Sequence, residues 1–195
     1  MPDERIAHHR RSMTFDVYPA DGDCLQVVGR LRDERPWAQR PEQLPTVHDL
    51  ELVVEVSLAD FTVRSVDALF HKYPHAECPR IADAYQQLVG VQVGRGWTQA
   101  MRDRLGGPEG CTHLRELARA TAPVLVQAAF SARVRTNPSR EGDEQRLRMV
   151  LPFLSGTCHI WAEDGVGERK LDAGWIPGTT PYPVPALEDF PLDSR

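Results

Sequence analysis

Apolar and polar positions alternate along Met13–Tyr18, Cys24–Leu31, Val47–Val56 and Phe61–Phe70. A period of two predicts four β-strands. Pro19-Ala20-Asp21-Gly22-Asp23 joins the first pair and Leu58-Ala59-Asp60 the second, so two antiparallel hairpins are expected. The charged stretch 32–46, with Pro36, Pro41 and Pro45, reads as the loop between them. The period then lengthens. Ile81, Ala84, Tyr85 and Leu88 recur at helical spacing until Gly90; Trp97, Met101 and Leu105 define a second short helix after Gly94-Arg95-Gly96. Leu114, Leu117, Ala118, Thr121, Leu125, Ala128 and Ala129 trace one face of a longer helix, kinked at Pro123 and fading near Arg133. Residues 134–146 read as a mobile loop and Leu147–Ile160 as one or two strands broken by Pro152 and Ser155-Gly156. The Pro-rich stretch 165–195 is expected as an extended tail on the surface or against a neighbouring subunit of a homo-oligomer. Strands followed by helices give an α+β fold, a small antiparallel sheet packed against helices. It is expected as a single domain over 1–195, with its core at 13–160 and a polar arm at 1–12.

Composition narrows the class. A chain of 195 residues suffices for a substantial core, and its net charge of −5 leaves no basic footprint for nucleic acid. No apolar run approaches the ~20 residues of a membrane span. Met1-Pro2-Asp3-Glu4-Arg5 leads into no apolar stretch of the kind a secretory signal has, and a cytoplasmic location is expected. In that setting the four cysteines are read as ligands or nucleophiles rather than disulfides, except Cys24, which stands in a strand pattern as a small core residue.

The chemistry gathers around Leu105-Gly106-Gly107-Pro108-Glu109-Gly110-Cys111-Thr112-His113-Leu114. Glycines permit a tight entry to the long helix, whose first turn exposes unpaired N–H groups and the positive end of the dipole. A thiolate is stabilised there. Cys78 precedes Pro79 at the start of another helix, and His48-Asp49 opens the third strand. Imidazole, thiolate and carboxylate together suit a zinc or iron shell. Buried cysteines and capping histidines are common without any ion, so the placement of the set carries the argument. Cys158 and His159 are adjacent on an expected strand, where only one could join such a site.

Two resemblances rest on these residues. Val47-His48-Asp49-Leu50, Cys78, Tyr85, Leu88-Val89-Gly90, Gly106-Gly107, Gly110-Cys111-Thr112-His113-Leu114 and Cys158-His159 together resemble a bacterial domain-of-unknown-function family, number 2889, over most of 9–160. That resemblance implies one unit and no activity. In order of elements, residues 47–132 are similar to the U-type iron–sulfur cluster scaffold family. His48-Asp49 stands where that family has its first Cys-containing motif, Cys78 at its middle cysteine and Cys111 at its last, with His113 after Cys111 rather than before it. The resemblance implies a compact α/β sandwich with a metal pocket at a sheet edge lined by His48, Asp49, Cys78, Cys111 and His113. Loss of the first thiolate departs from cluster chemistry and favours one zinc or ferrous ion with an exchangeable water.

The expected function is a mononuclear metal-dependent hydrolase or lyase acting on a small carbonyl or thioester metabolite. His48, Cys78 and Cys111 are the expected ligands and Asp49 or His113 the general base; Arg10 or Arg11 would hold an anionic substrate group. The alternatives are a metal-free enzyme with Cys111 as nucleophile beside His113, a zinc, sulfur or iron–sulfur carrier, and a structural zinc knot.

Overall fold

The four alternating stretches form β1 (Arg10–Ala20), β2 (Cys24–Glu34), β3 (Thr46–Ser57) and β4 (Val63–Lys72), an antiparallel meander in the order β1-β2-β3-β4. The computed structural model describes residues 5–94, 96–137, 142–175 and 183–190. β1 reaches back to Arg10, so the end of the expected arm is strand. The chain divides into two compact units, residues 1–131 and 132–195.

In the first unit, alternation assigns the two faces of the sheet. Leu25, Val27 and Leu31 of β2 and Leu50, Leu52, Val54 and Val56 of β3 are buried on one face. Arg30, Glu51 and Leu69 stand on the other, at intermediate to full exposure. Three elements join the buried face in one core: the 3-10 helix Cys78–Leu88, α1 (Trp97–Leu105) and α2 (Thr112–Thr136). The periodicity of Ile81, Ala84, Tyr85 and Leu88 therefore marks a helix, but a tighter one than the α-helix. Cys24 is a buried free cysteine, as its strand pattern indicates.

α2 sits close to the sheet because β2 offers a glycine beneath it. A Cβ on Gly29 would lie 2.6 Å from Phe15 Cε1 and 3.4 Å from Leu117 Cδ2, so a side chain there would have to displace the Phe15 ring that fills the space. Leu114, Leu117, Ala118, Thr121 and Leu125 are the buried stripe of α2. Trp97 of α1 is almost wholly buried, and its indole N–H donates to the Ala118 carbonyl at 2.8 Å. That bond satisfies the one polar atom of the largest core side chain and ties α1 to α2.

The second unit departs from the sequence reading. Residues 147–154 belong to a helix, α3 (Asp143–Leu154), not to strands. Leu147, Val150, Leu151 and Leu154 recur at i, i+3, i+4 and i+7, with Leu147 buried. Pro152 lies in the last turn, where it removes one backbone bond and does not break the helix. The expected loop 134–146 begins in α2 and ends in α3, and its residues 138–141 lie outside the described ones. Part of the expected tail is also helical, as α4 (Val166–Asp172), and Phe190 is buried; 176–182 and 191–195 lie outside the described residues. No helix among the described residues is long and apolar enough to cross a membrane.

Candidate functional site

The site lies at the end of the sheet where β1 begins, β2 ends and β3 begins. Cross-strand register pairs Arg11 with Asp33 and Asp33 with His48. Side chains directly opposite on adjacent strands share a face. All three therefore meet on the helix-covered face, where the first turn of α2 adds His113.

Asp33 is the hub. It is only 2% exposed and accepts paired hydrogen bonds from Arg11, Nε to Oδ1 and Nη2 to Oδ2, both at 2.7 Å. His9 Nε2 lies 3.1 Å from Oδ1, while His48 Nδ1 and His113 Nε2 approach Oδ2 at 3.0 and 3.4 Å. The two imidazole rings are 3.8 Å apart between centroids and inclined by 35°. Burial alone would raise the Asp33 carboxyl; the Arg11 hydrogen bonds and charge, aided by His9 and His113, hold it down to about 2. His113 is lowered from its ordinary value by burial first, then by His48 and Arg11. Both shifts run toward the forms a divalent ion requires of its ligands, carboxylate and neutral imidazole. Asp33, His48 and His113 are the one group of three such donors among the described residues, with ligand atoms all within 4.8 Å of one another.

Of the residues singled out from sequence, His48 and His113 come together and the rest take other places. Cys78 and Cys111 belong to no such group among the described residues, so the expected His48, Cys78, Cys111 shell does not assemble. Chain spacing between different elements sets no spatial separation, which is why the pairing was not readable. Cys111 stands directly before α2, its carbonyl accepting the Arg115 N–H at 2.9 Å and the Tyr85 hydroxyl at 3.0 Å. Its sulfur lies 3.8 Å from His113 Nδ1, while Asp33 Oδ2 lies 3.4 Å from Nε2. Arg11 donates to Asp33, and Arg10 occupies the alternate strand position opposite Glu34. Cys158 and His159 are exposed in the second unit.

Asp49 also leaves the expected set. Next to His48 on β3, it faces the opposite side of the sheet, where Arg30 donates to both its oxygens at 2.7 and 2.6 Å and Arg32 lies 3.4 Å away. Those Arg30 bonds hold Asp49 below the ordinary carboxylate range against the opposing effect of burial. A folded-state value lowered in this way adds stability above the ordinary 3.8 and loses it as pH falls below that point. We expect Asp49→Asn to lower the melting temperature at neutral pH, with the gap to the parent protein closing on acidification. A gap independent of pH would contradict this account.

Asp33 itself was missed. It lies in the run Arg32-Asp33-Glu34, which reads as the start of a charged loop. Continuing the β2 alternation two places past Leu31 puts an acid at an inward position, and that was the available signal.

The family model described as "Protein of unknown function (DUF2889)" matches residues 9–127. The chain belongs to that family. The match runs from His9 into α2 and takes in Arg11, Asp33, His48 and His113, while stopping short of the second unit. The family carries no described activity. No curated protein and no solved structure matches the chain, and the likeness to the iron–sulfur scaffold family rests on order of elements alone.

Proposed function

We propose that this protein is a mononuclear metal-dependent enzyme whose ion is held by Asp33, His48 and His113. The observation that carries the reading is the convergence of His48 Nδ1 and His113 Nε2 on one oxygen of a buried carboxylate, at 3.0 and 3.4 Å. Ligand bonds of about 2.1 Å set neighbouring donor atoms roughly 3.0 Å apart at right angles and roughly 3.4 Å apart in a tetrahedron. Two histidines and one carboxylate leave positions open for water and substrate, a donor set that suits zinc or ferrous iron. With no thiolate in the set, it is a poor match for carrying an iron–sulfur cluster.

Arg11 has a structural part in this scheme. Its fork keeps Asp33 ionised and oriented, leaving a lone pair of Oδ2 toward the imidazoles. His9, half exposed and hydrogen-bonded to Asp33 Oδ1, is placed to move a proton at the rim, the role expected of Asp49. The bound ion would acidify a water or polarise a carbonyl oxygen, which suits hydrolysis or lyase chemistry on a small carbonyl or thioester metabolite.

Elemental analysis after dialysis tests the reading. About one zinc or iron per chain is expected, lost in His48→Ala and retained in Cys78→Ala and Asp49→Asn. Substoichiometric metal in the parent protein, or metal that follows Cys78 instead of His48, would reject it.

A further inference from the structure

We propose that Cys111 is a positioning residue for His113, its sulfur accepting the Nδ1–H so that Nε2 is presented to the ion; this rests on the metal reading above. The two nitrogens of the His113 ring face different partners. Nε2 lies 3.4 Å from Asp33 Oδ2 and Nδ1 lies 3.8 Å from Cys111 Sγ. A neutral imidazole that gives one nitrogen to a metal carries its proton on the other, and that N–H needs an acceptor. Histidine ligands usually find a carboxylate, a carbonyl or water for this purpose. Here the acceptor that faces Nδ1 is sulfur.

The backbone that carries the sulfur is held in place from several directions. The Cys111 carbonyl takes two hydrogen bonds, one from the first turn of α2 through Arg115 and one from buried Tyr85 of the 3-10 helix Cys78–Leu88. Ahead of it, a Cβ on Gly110 would lie 2.3 Å from the Leu105 carbonyl oxygen, so only glycine permits this path into the helix. Gly110, Cys111 and His113 thus form one device: the glycine sets the approach, the cysteine sits at the cap, and the histidine two places on receives its orientation. With its contact at Nδ1, the sulfur is close to the site yet outside the group formed by Asp33, His48 and His113.

Zn²⁺ affinity, measured by competition against a chromophoric chelator, tests the assignment on the full-length chain. Cys111→Ala is expected to bind Zn²⁺ about 10- to 100-fold more weakly, the usual cost of losing an outer partner, and Cys111→Ser to recover much of the loss because a hydroxyl also accepts. Histidine ¹⁵N NMR of the Zn²⁺-loaded parent protein gives a readout that needs no variant: His113 should carry its proton on Nδ1 and bind metal through Nε2. Unaltered affinity in a folded Cys111→Ala protein overturns the proposal while leaving the metal site standing; an Nδ1 without its proton, as a cysteine nucleophile using His113 as base would require, overturns it and also takes His113 out of the ligand set, because the neutral ring then carries its proton on Nε2. Failure of the parent protein to take up Zn²⁺ overturns both.

Discussion

Asp33→Ala is expected to abolish stoichiometric metal binding, weakening affinity by more than the roughly 100-fold that outer-shell changes cost. It should also destabilise the metal-free fold by about 2 kcal/mol. Both effects have one origin. Asp33 supplies the negative charge on which the Arg11 guanidinium and the His9, His48 and His113 rings converge. Removing it takes a ligand from the ion and an anion from a cationic, partly buried fork. The stability loss is kept modest because Arg11 remains 40% exposed and water replaces part of what the carboxylate gave. Asp33→Asn, similar in shape but uncharged, should retain more stability than the alanine variant and still lose most of the metal affinity. Isothermal titration with Zn²⁺ and urea unfolding of the chelated protein measure the two effects separately. Full metal affinity in the alanine variant would remove Asp33 from the site.

Trp97→Ala is expected to cost about 4 kcal/mol, a large fraction of the stability of a domain this size. Trp97 is 1% exposed, touches the common core and closes its indole N–H on the Ala118 carbonyl. Truncation leaves a cavity at the join between α1 and α2 and removes the hydrogen bond that ties them. Because α2 delivers His113 from its first turn, the loss should reach the site: metal affinity should fall even at temperatures where the variant remains folded. Trp97→Phe, which keeps most of the ring volume but not the donor, should lie between the two proteins in denaturant midpoint. An alanine variant within about 1 kcal/mol of the parent would show that α2 is anchored elsewhere.

Much of the first unit was legible because its signals are local. The alternation of Leu25, Val27 and Leu31, or of Leu50, Leu52, Val54 and Val56, fixes a strand and its buried face without reference to any other element. The stripe Leu114, Leu117, Ala118, Thr121 and Leu125 does the same for α2. α3 was misread because Pro152 and Ser155-Gly156 suggest interruption, although Leu147, Val150, Leu151 and Leu154 keep helical spacing through the proline. His48 and His113 stood out by residue type and by their positions at element starts. Asp33 did not, since an acid among charged residues looks like solvated surface, and Arg11 stood out as a holder of substrate rather than as the partner of Asp33.

The amino-acid pattern by itself determined the strands, the helix faces, and the glycine-lined entry that sets Cys111 and His113 at the head of α2. Only the tertiary structure decided which acid joins the two histidines. The physical reason is register: side chains on a strand alternate between faces, so pairing Asp33 with His48 places both under α2 and turns Asp49 toward Arg30 on the other side. A slip of one residue between β2 and β3 in the direction that sets Arg32 opposite His48 would remove the carboxylate on which the imidazoles converge.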